Sequence, residues 1–424
     1  MESENGLVCF TNCLLPQEDG SLIEQDLWID ERRGTYSQRT FFARGERPAR
    51  VIDLGGNILS PGYIDIQING AYGFDFSVFD GDHEAYRNGL KTVAEKIIET
   101  GVTSLVPTII TQEKSLYPTL LHLLRPYSSP NSATMLGWHA EGPFIQMAKR
   151  GAHAPEFLLK ADEGLASFEK VYGAENLAHQ EDWLMACEGH SDSLGVRIIT
   201  AAPEINGVRA AMEEATKRGV VFSIGHSIAS TDIATAAVMG GARLITHLFN
   251  AMPQLHHRDP CIIGLLGAAR RRRPFYELIV DGIHSHPNSV RLAYSAYPEG
   301  CILITDAMKI LDPHLKDGVH EWRDGKRFVK EGDKLYLEGT DTLAGSAVTL
   351  DKCVRNFSRF TGCSLGEAIK CATYNPARCL GIEARKGTLR PGADADLIVL
   401  DRKGYVQSTW VRGRRVWKRE TLRI

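Results

Sequence analysis

The chain has 424 residues, 43% of them hydrophobic and 24% charged, and a formal net charge of −3, the balance of a soluble globular protein. That charge gives no electrostatic basis for nucleic-acid binding, and no run of apolar residues is long enough to span a membrane. The opening "MESENGLVCF" is acidic and lacks the basic start of a secretory leader, and nine cysteines occur without a Cys-x-x-Cys pair, so reduced thiols in the cytoplasm are expected.

The first 57 residues read as short strands and turns, including "GLVCFTNCLL" and "RVIDLGGNILS", around an Arg/Gly-rich insert near Arg32 to Arg47. From Pro61 onward, apolar strand-like runs alternate with helical ones. The strand runs are "YIDIQI", "TSLVPTII", "ATMLGWHAE", "VRIITAAPE", "VVFSIGHS", "LITHLFN", "YELIVDGIH" and "CILITDAM". Helical periodicity covers Glu84 to Glu99, Ile205 to Arg218 and Thr231 to Val238, and "GSAVTLDKCVRNFSRF" reads as the helix after the last strand. Eight strands with helical crossovers predict an α/β fold with a (β/α)₈ TIM-like barrel; a doubly wound open sheet is the alternative. The basic run "AARRRRP" reads as a solvated loop or helix end, or else as a patch near an anionic ligand.

After "ATYNPARCLG" the pattern becomes strand, turn, strand, with Pro391-Gly392 at a tight turn. This segment cannot bury a core alone. Pairing with the N-terminal strands predicts a small β-sandwich domain built from both chain ends, with expected boundaries 1–57, 58–375 and 376–424.

Chemistry in such a barrel sits where strands run into loops at the C-terminal face. The polar residues at those points are Gln67, Asn69, Glu141, His226, His247, Asp281, His284 and Asp306. Each histidine alone has a structural reading, and Asp306 alone could cap a helix. One glutamate and two histidines brought to a single rim form a zinc-type set that leaves a position open for water. Asp306, at the end of the eighth strand, is placed to take the proton of that water and pass it to a leaving group.

"PGYIDIQINGAYGFDF", "GWHAEGPFI", "KRGAHAPE", "GHSIAS", "THLFNAMPQLHHRDP", "DGIHSHP", "ITDAM" and "GSAVTLD" occur in an order that resembles the N-acetylglucosamine-6-phosphate deacetylase family of the amidohydrolase superfamily. "GTLRPGADADLIVLD" resembles the broader superfamily's C-terminal signature. The stretch 154–195 and the Arg/Gly-rich insert carry little of the match. The resemblance implies that Glu141, His226 and His247 are metal ligands and that Asp306 is the catalytic acid/base. Many amidohydrolases carry His-x-His on the first strand and a bridging lysine on the fourth. Here Gln67 and Asn69 stand at the first place and "VRIITAAPE" has no lysine, which implies one divalent metal per subunit. Zinc suits that set, as do cobalt, nickel and iron.

The resemblance further implies that His153 bonds the acetyl carbonyl, and that His284, Asn250 and Ala251 lie on the substrate's phosphate side. Arg258 is implied to reach that phosphate from the neighbouring subunit of a homodimer. The partner is then a phosphorylated amino sugar, with no nucleic acid and no membrane. A ring-opening amidohydrolase would need the missing His-x-His pair. The remaining alternatives are a deacetylase for another N-acyl amino sugar and a non-catalytic scaffold, the latter disfavoured by the intact Glu141, His226, His247 and Asp306.

Overall fold

Eight parallel strands follow one another around a ring: Tyr63–Ile68, Val102–Ile110, Trp138–Glu141, Val196–Ala201, Val221–Ile224, Leu244–Ile245, Phe275–Ile279 and Cys301–Ile304. They are nearly all buried on both faces, which is why they read as almost unbroken apolar runs. The computed structural model describes residues 5–32, 34–36, 43, 45–177, 195–269, 273–321, 327–332, 334–340 and 345–420. Residues 270–272 of the basic run, and parts of the Arg/Gly-rich insert and of the 154–195 stretch, lie outside the described residues. Among the described residues no helix is long and apolar enough to cross a membrane.

The ring closes between its first and eighth strands. Asp306 N donates to Gln67 O (2.9 Å) and Asn69 N donates to Ala307 O (2.8 Å). Alternation on the first strand works as its sequence dictates: Ile64, Ile66 and Ile68 join the main core, while Asp65 and Gln67 make polar contacts inside the barrel. Asp65 Oδ2 accepts from Thr305 Oγ1 at 2.6 Å, a contact across the seam.

Burial raises the Asp65 carboxyl to about 7, against hydrogen bonds from Thr305 and Gln67 that favour its charge. A carboxyl raised on folding stabilises fully below its unfolded value near 3.8, and that contribution is lost as pH rises through about 7. Asp65→Asn should therefore flatten the pH dependence of stability between about 4 and 7 relative to the parent. Urea midpoints of both proteins across that range check it; parallel curves would refute it.

The observed strands are shorter than the apolar runs. "ATMLGWHAE" is split by Gly137 at φ 121° into Thr134–Met135 and Trp138–Glu141. "LITHLFN" supplies only Leu244–Ile245, because His247 and Phe249 adopt φ of 29° and 79°. His226 (φ 48°) and Asp306 (φ 46°) likewise leave their strands through the left-handed region, which non-glycine residues seldom occupy. Helices form at His83–Lys96, Val208–Lys217 and Thr231–Met239. The second starts later than its periodicity predicts, since Gly207 sits at φ 76° and an added Cβ there would lie 1.6 Å from Ala161 O. The helix after the eighth strand is Leu350–Thr361; its expected first turn is instead extended, with Ser346 bridged to Ala307.

Both chain ends build a second body. One sheet orders Gly34–Tyr36, Leu27–Asp30, Leu7–Thr11 and Arg50–Asp53. The other orders Arg414–Lys418, Val406–Val411, Leu397–Leu400, Ile58–Pro61, Leu14–Pro16 and Leu22–Glu24. Their shared core joins Phe10 to Trp410 edge-to-face at 5.1 Å. A three-stranded antiparallel sheet over Gly318–Glu321, Arg327–Glu331 and Lys334–Leu337 follows the eighth strand, and nothing in the sequence reading anticipates it. It is anchored by a small cluster of Ile310, Phe328 and Leu335.

Candidate metal centre and substrate cavity

Glu141 ends the third strand, and His226 and His247 lie just past the fifth and sixth. Their ligand atoms converge. Glu141 Oε1 lies 2.9 Å from His226 Nε2 and 3.2 Å from His247 Nε2, and the two nitrogens are 3.1 Å apart. His226 Nδ1 faces Lys149 O at 2.7 Å and must donate to it, which leaves Nε2 bare in the neutral ring. Lone pairs crowded this closely around one carboxylate oxygen require a cation or protons among them. One buried Glu/His/His cluster, Glu141 with His153 and His226, suits one divalent metal ion, and it shares Glu141 and His226 with the expected set.

Burial alone would raise Glu141, but hydrogen bonds with His226 and His247 outweigh it and hold the carboxyl well below its usual range. Burial opposes a charge on His247, yet Glu141 overrides it and raises His247 to about 9.

His153, which the sequence does not mark as a ligand, belongs to that cluster, its ligand atom lying within 4.8 Å of those of Glu141 and His226. Its hydrogen bonding argues for a different role. Thr111 N donates to His153 Nδ1 at 3.2 Å, so the neutral ring carries its proton on Nε2 and presents a donor rather than a lone pair. Thr111 Oγ1 lies 2.7 Å from the same Nδ1. Gly142 makes room for this pair, since a Cβ there would sit 2.3 Å from Thr111 Oγ1.

Asp306 stands on the neighbouring side of the centre, at the seam. Asn69 Nδ2 donates to its Oδ1 at 2.7 Å; Gln67 Nε2 reaches the same atom at 3.4 Å and Glu141 Oε1 at 3.1 Å. The two amides that stand where a His-x-His pair would be therefore hold the carboxylates in place. Burial, then the Glu141 charge, raises Asp306 to about 6.

Glu141, His153, His226, His247, Asn69 and Asp306 all line one cavity of about 1030 Å³ at the C-terminal rim. Asn250, Ala251 and His284 line it as well. His284 Nδ1 lies 2.5 Å from Asp281 Oδ2; burial works against its charge, but the Asp281 carboxylate wins and raises its pKa. Arg258 is not brought in. It is exposed and lies outside the lining of its own subunit's cavity.

Three contributors escaped the sequence reading. Thr111 and the Lys149 carbonyl orient His153 and His226, and neither has a sequence signal of its own. Glu277, buried beneath His247 and accepting from its backbone N at 3.2 Å, had one: a carboxylate in the apolar run "YELIV". Burial pushes its carboxyl well above the usual carboxylate range.

Residues 58–416 match the amidohydrolase family, so fold and centre together define a metal-dependent hydrolase of that class. An N-acetylglucosamine-6-phosphate deacetylase from Homo sapiens is 42% identical over 419 residues, covering 98% of this chain and 96% of that protein. An N-acetylgalactosamine-6-phosphate deacetylase from Escherichia coli O157:H7 is 31% identical, covering 92% of this chain and 96% of that one. A structure of a Mycobacterium smegmatis N-acetyl-D-glucosamine-6-phosphate deacetylase variant, in complex with N-acetyl-D-glucosamine-6-phosphate, is 27% identical with a TM-score of 0.73, over 97% of this chain and 98% of that one. The chain belongs to the N-acetylglucosamine-6-phosphate deacetylase family.

Proposed function

We propose that this enzyme removes the acetyl group of N-acetyl-D-glucosamine 6-phosphate, giving D-glucosamine 6-phosphate and acetate. The observation that carries the reading is Asp306, held by Asn69 beside the Glu141, His226 and His247 cluster in one cavity. A divalent ion on those three residues would polarise the acetyl carbonyl and acidify the attacking water. Zinc is the preferred ion for one carboxylate and two imidazoles.

Asp306 accepts the proton of the water as it attacks and delivers it to the departing amine. His153 donates a hydrogen bond from Nε2 to the acetyl oxygen as negative charge gathers there. His284 and the Asn250–Ala251 turn bind the phosphate end. The family match to a deacetylase for N-acetylgalactosamine 6-phosphate supports a second reading, in which the 4-epimer is the substrate. Acetate and free amine released from each 6-phosphate, and from unphosphorylated N-acetylglucosamine, decide among these. No release from either phosphate would overturn both readings.

The working unit in this reading is a cytoplasmic homodimer with Arg258 given to the neighbour's site. Its support is the exposed position of Arg258 and of three apolar side chains on adjoining rim loops: Met147 (47%), Ile228 (47%) and Leu255 (53%). Those loops are tied together through Gln146 N to His226 O (2.9 Å) and Ser227 N to Ala251 O (3.2 Å). If Arg258 acts in trans, mixing Arg258→Ala with Asp306→Asn chains under subunit exchange should restore activity above either parent. No recovery despite demonstrated exchange removes Arg258 from the neighbour's site.

A further inference from the structure

We propose that Lys309 binds the substrate's phosphate within its own subunit's cavity and sets the preference for the phosphorylated sugar. The inference rests on the reading that this cavity receives an N-acetylated sugar 6-phosphate. A phosphate monoester carries about −1.5 to −2 charges at neutral pH. The cavity it must enter is lined by Asp75, Asp80 and Glu156 as well as Glu141 and Asp306. Its neutral or switchable bases are histidines. Lys309 is the single lysine or arginine among the described residues that line it. Within its own subunit, Lys309 is therefore the one fixed cation among the described lining residues to set against those carboxylates.

The backbone around Lys309 is rigidly placed. Gly73 N donates to Lys309 O at 2.6 Å, and on either side Gly70 N donates to Ala307 O (3.1 Å) and Tyr72 N to Leu311 O (2.9 Å). Met308 N is held by Ser346 O at 3.0 Å. The strand-one loop and the strand-eight loop thus clamp the chain three residues after Asp306. The side chain itself is not engaged: half-buried, its ammonium makes no hydrogen bond or ion pair with any described residue. A lysine on a backbone held at several points, lining the cavity and with no partner among the described residues, suits recognition of a small anion.

The neighbourhood fits. His284 follows the seventh strand and Lys309 the eighth, and phosphate groups in barrels of this class are frequently held by the loops after those two strands. His284, whose Nδ1 is tied to Asp281, lines the same cavity. Lysine serves here as a point charge, which tolerates the rotation of a terminal phosphate better than a bidentate fork.

The test uses the metal-loaded enzyme and Lys309→Met, which keeps the apolar stem, with Lys309→Arg as the charge-restoring control. For each, kcat/KM is measured on N-acetylglucosamine 6-phosphate and on unphosphorylated N-acetylglucosamine, and inorganic phosphate is titrated by calorimetry. Loss of a charge-assisted contact should cut the phosphorylated-to-unphosphorylated ratio roughly 10- to 100-fold. The loss should lie in KM rather than kcat, weaken inorganic phosphate by a similar factor, and be largely reversed in Lys309→Arg. An unchanged ratio in Lys309→Met would overturn the proposal while leaving the deacetylase reading intact. If the parent enzyme turns over neither sugar, that reading falls, and the phosphate titration alone decides: equal affinity in parent and Lys309→Met overturns the role of Lys309.

Discussion

Asp306→Asn is expected to keep its metal and to lose turnover by ~10²–10⁴-fold, the range for a missing general acid/base. The substitution preserves the shape that Asn69 Nδ2 (2.7 Å) and Gln67 Nε2 (3.4 Å) hold, since the amide oxygen still accepts at the Oδ1 position. What disappears is the basic oxygen. Glu141, His226 and His247 bond to one another without Asp306, so metal content should stay near that of the parent. The pH profile separates this from a packing defect. Asp306 must be ionised to take a proton, and burial with the Glu141 charge raises it to about 6. A bound cation draws that midpoint down, so the parent's rate should climb with pH through a limb at or below about 6. Asp306→Asn should lack the limb. Metal loss in the variant would make Asp306 a ligand; near-parental turnover would move the proton shuttle elsewhere.

Glu141→Gln is expected to remove metal and activity together. Glu141 Oε1 is the atom on which His226, His247 and Gln67 all converge, and it supplies the one negative charge among the three proposed ligands. Loss of an outer partner of a metal ligand typically costs 10–100-fold in affinity, and loss of the anionic ligand itself should exceed that. With the anionic ligand gone, two imidazoles and an amide remain, a poor trap for a divalent ion. Added metal should raise the melting temperature of the parent, because it binds only the folded state, and leave that of Glu141→Gln unmoved. A full equivalent of metal in the variant would refute the assignment.

The barrel was legible because its strands are covered on both faces and therefore write long apolar runs, each closed by a polar residue. "YIDIQI" coincides with its strand, and "VRIITAAPE" starts with its strand but runs past the strand's end at Ala201. Strand ends were less legible, and the reason is conformational. His226, His247 and Asp306 turn the chain with positive φ, an unusual choice for non-glycine residues that no propensity scale encodes. The three-stranded sheet was missed because Gly318–Glu321 and Lys334–Leu337 have only four residues each and Gly318–Glu321 is largely exposed, too little alternation to register. Within the site, charged and imidazole side chains announced themselves against apolar surroundings. Their orienting partners did not: Thr111 is one threonine among many, and Lys149 contributes only a carbonyl. Gln67 and Asn69 were read as the absence of a histidine pair, whereas their amide nitrogens hold the two carboxylates of the centre.

The seam between the first and eighth strands couples catalysis to the order of synthesis. Asp65 and Thr305 meet across 240 residues of sequence, and Gln67 and Asn69 reach Asp306 over nearly the same span. The strand just ahead, Ile58–Pro61, then waits still longer for Leu397–Leu400. A growing chain therefore exposes its first barrel strand, unpaired on one edge, until most of the protein has left the ribosome. Such distant pairings are slow to form, since the loop they close must be ordered before any contact rewards it. The contacts that hold Asp306, the proposed proton carrier, form at that same late event: until the ring is shut, its carboxylate lacks the Asn69 and Gln67 amides that orient it.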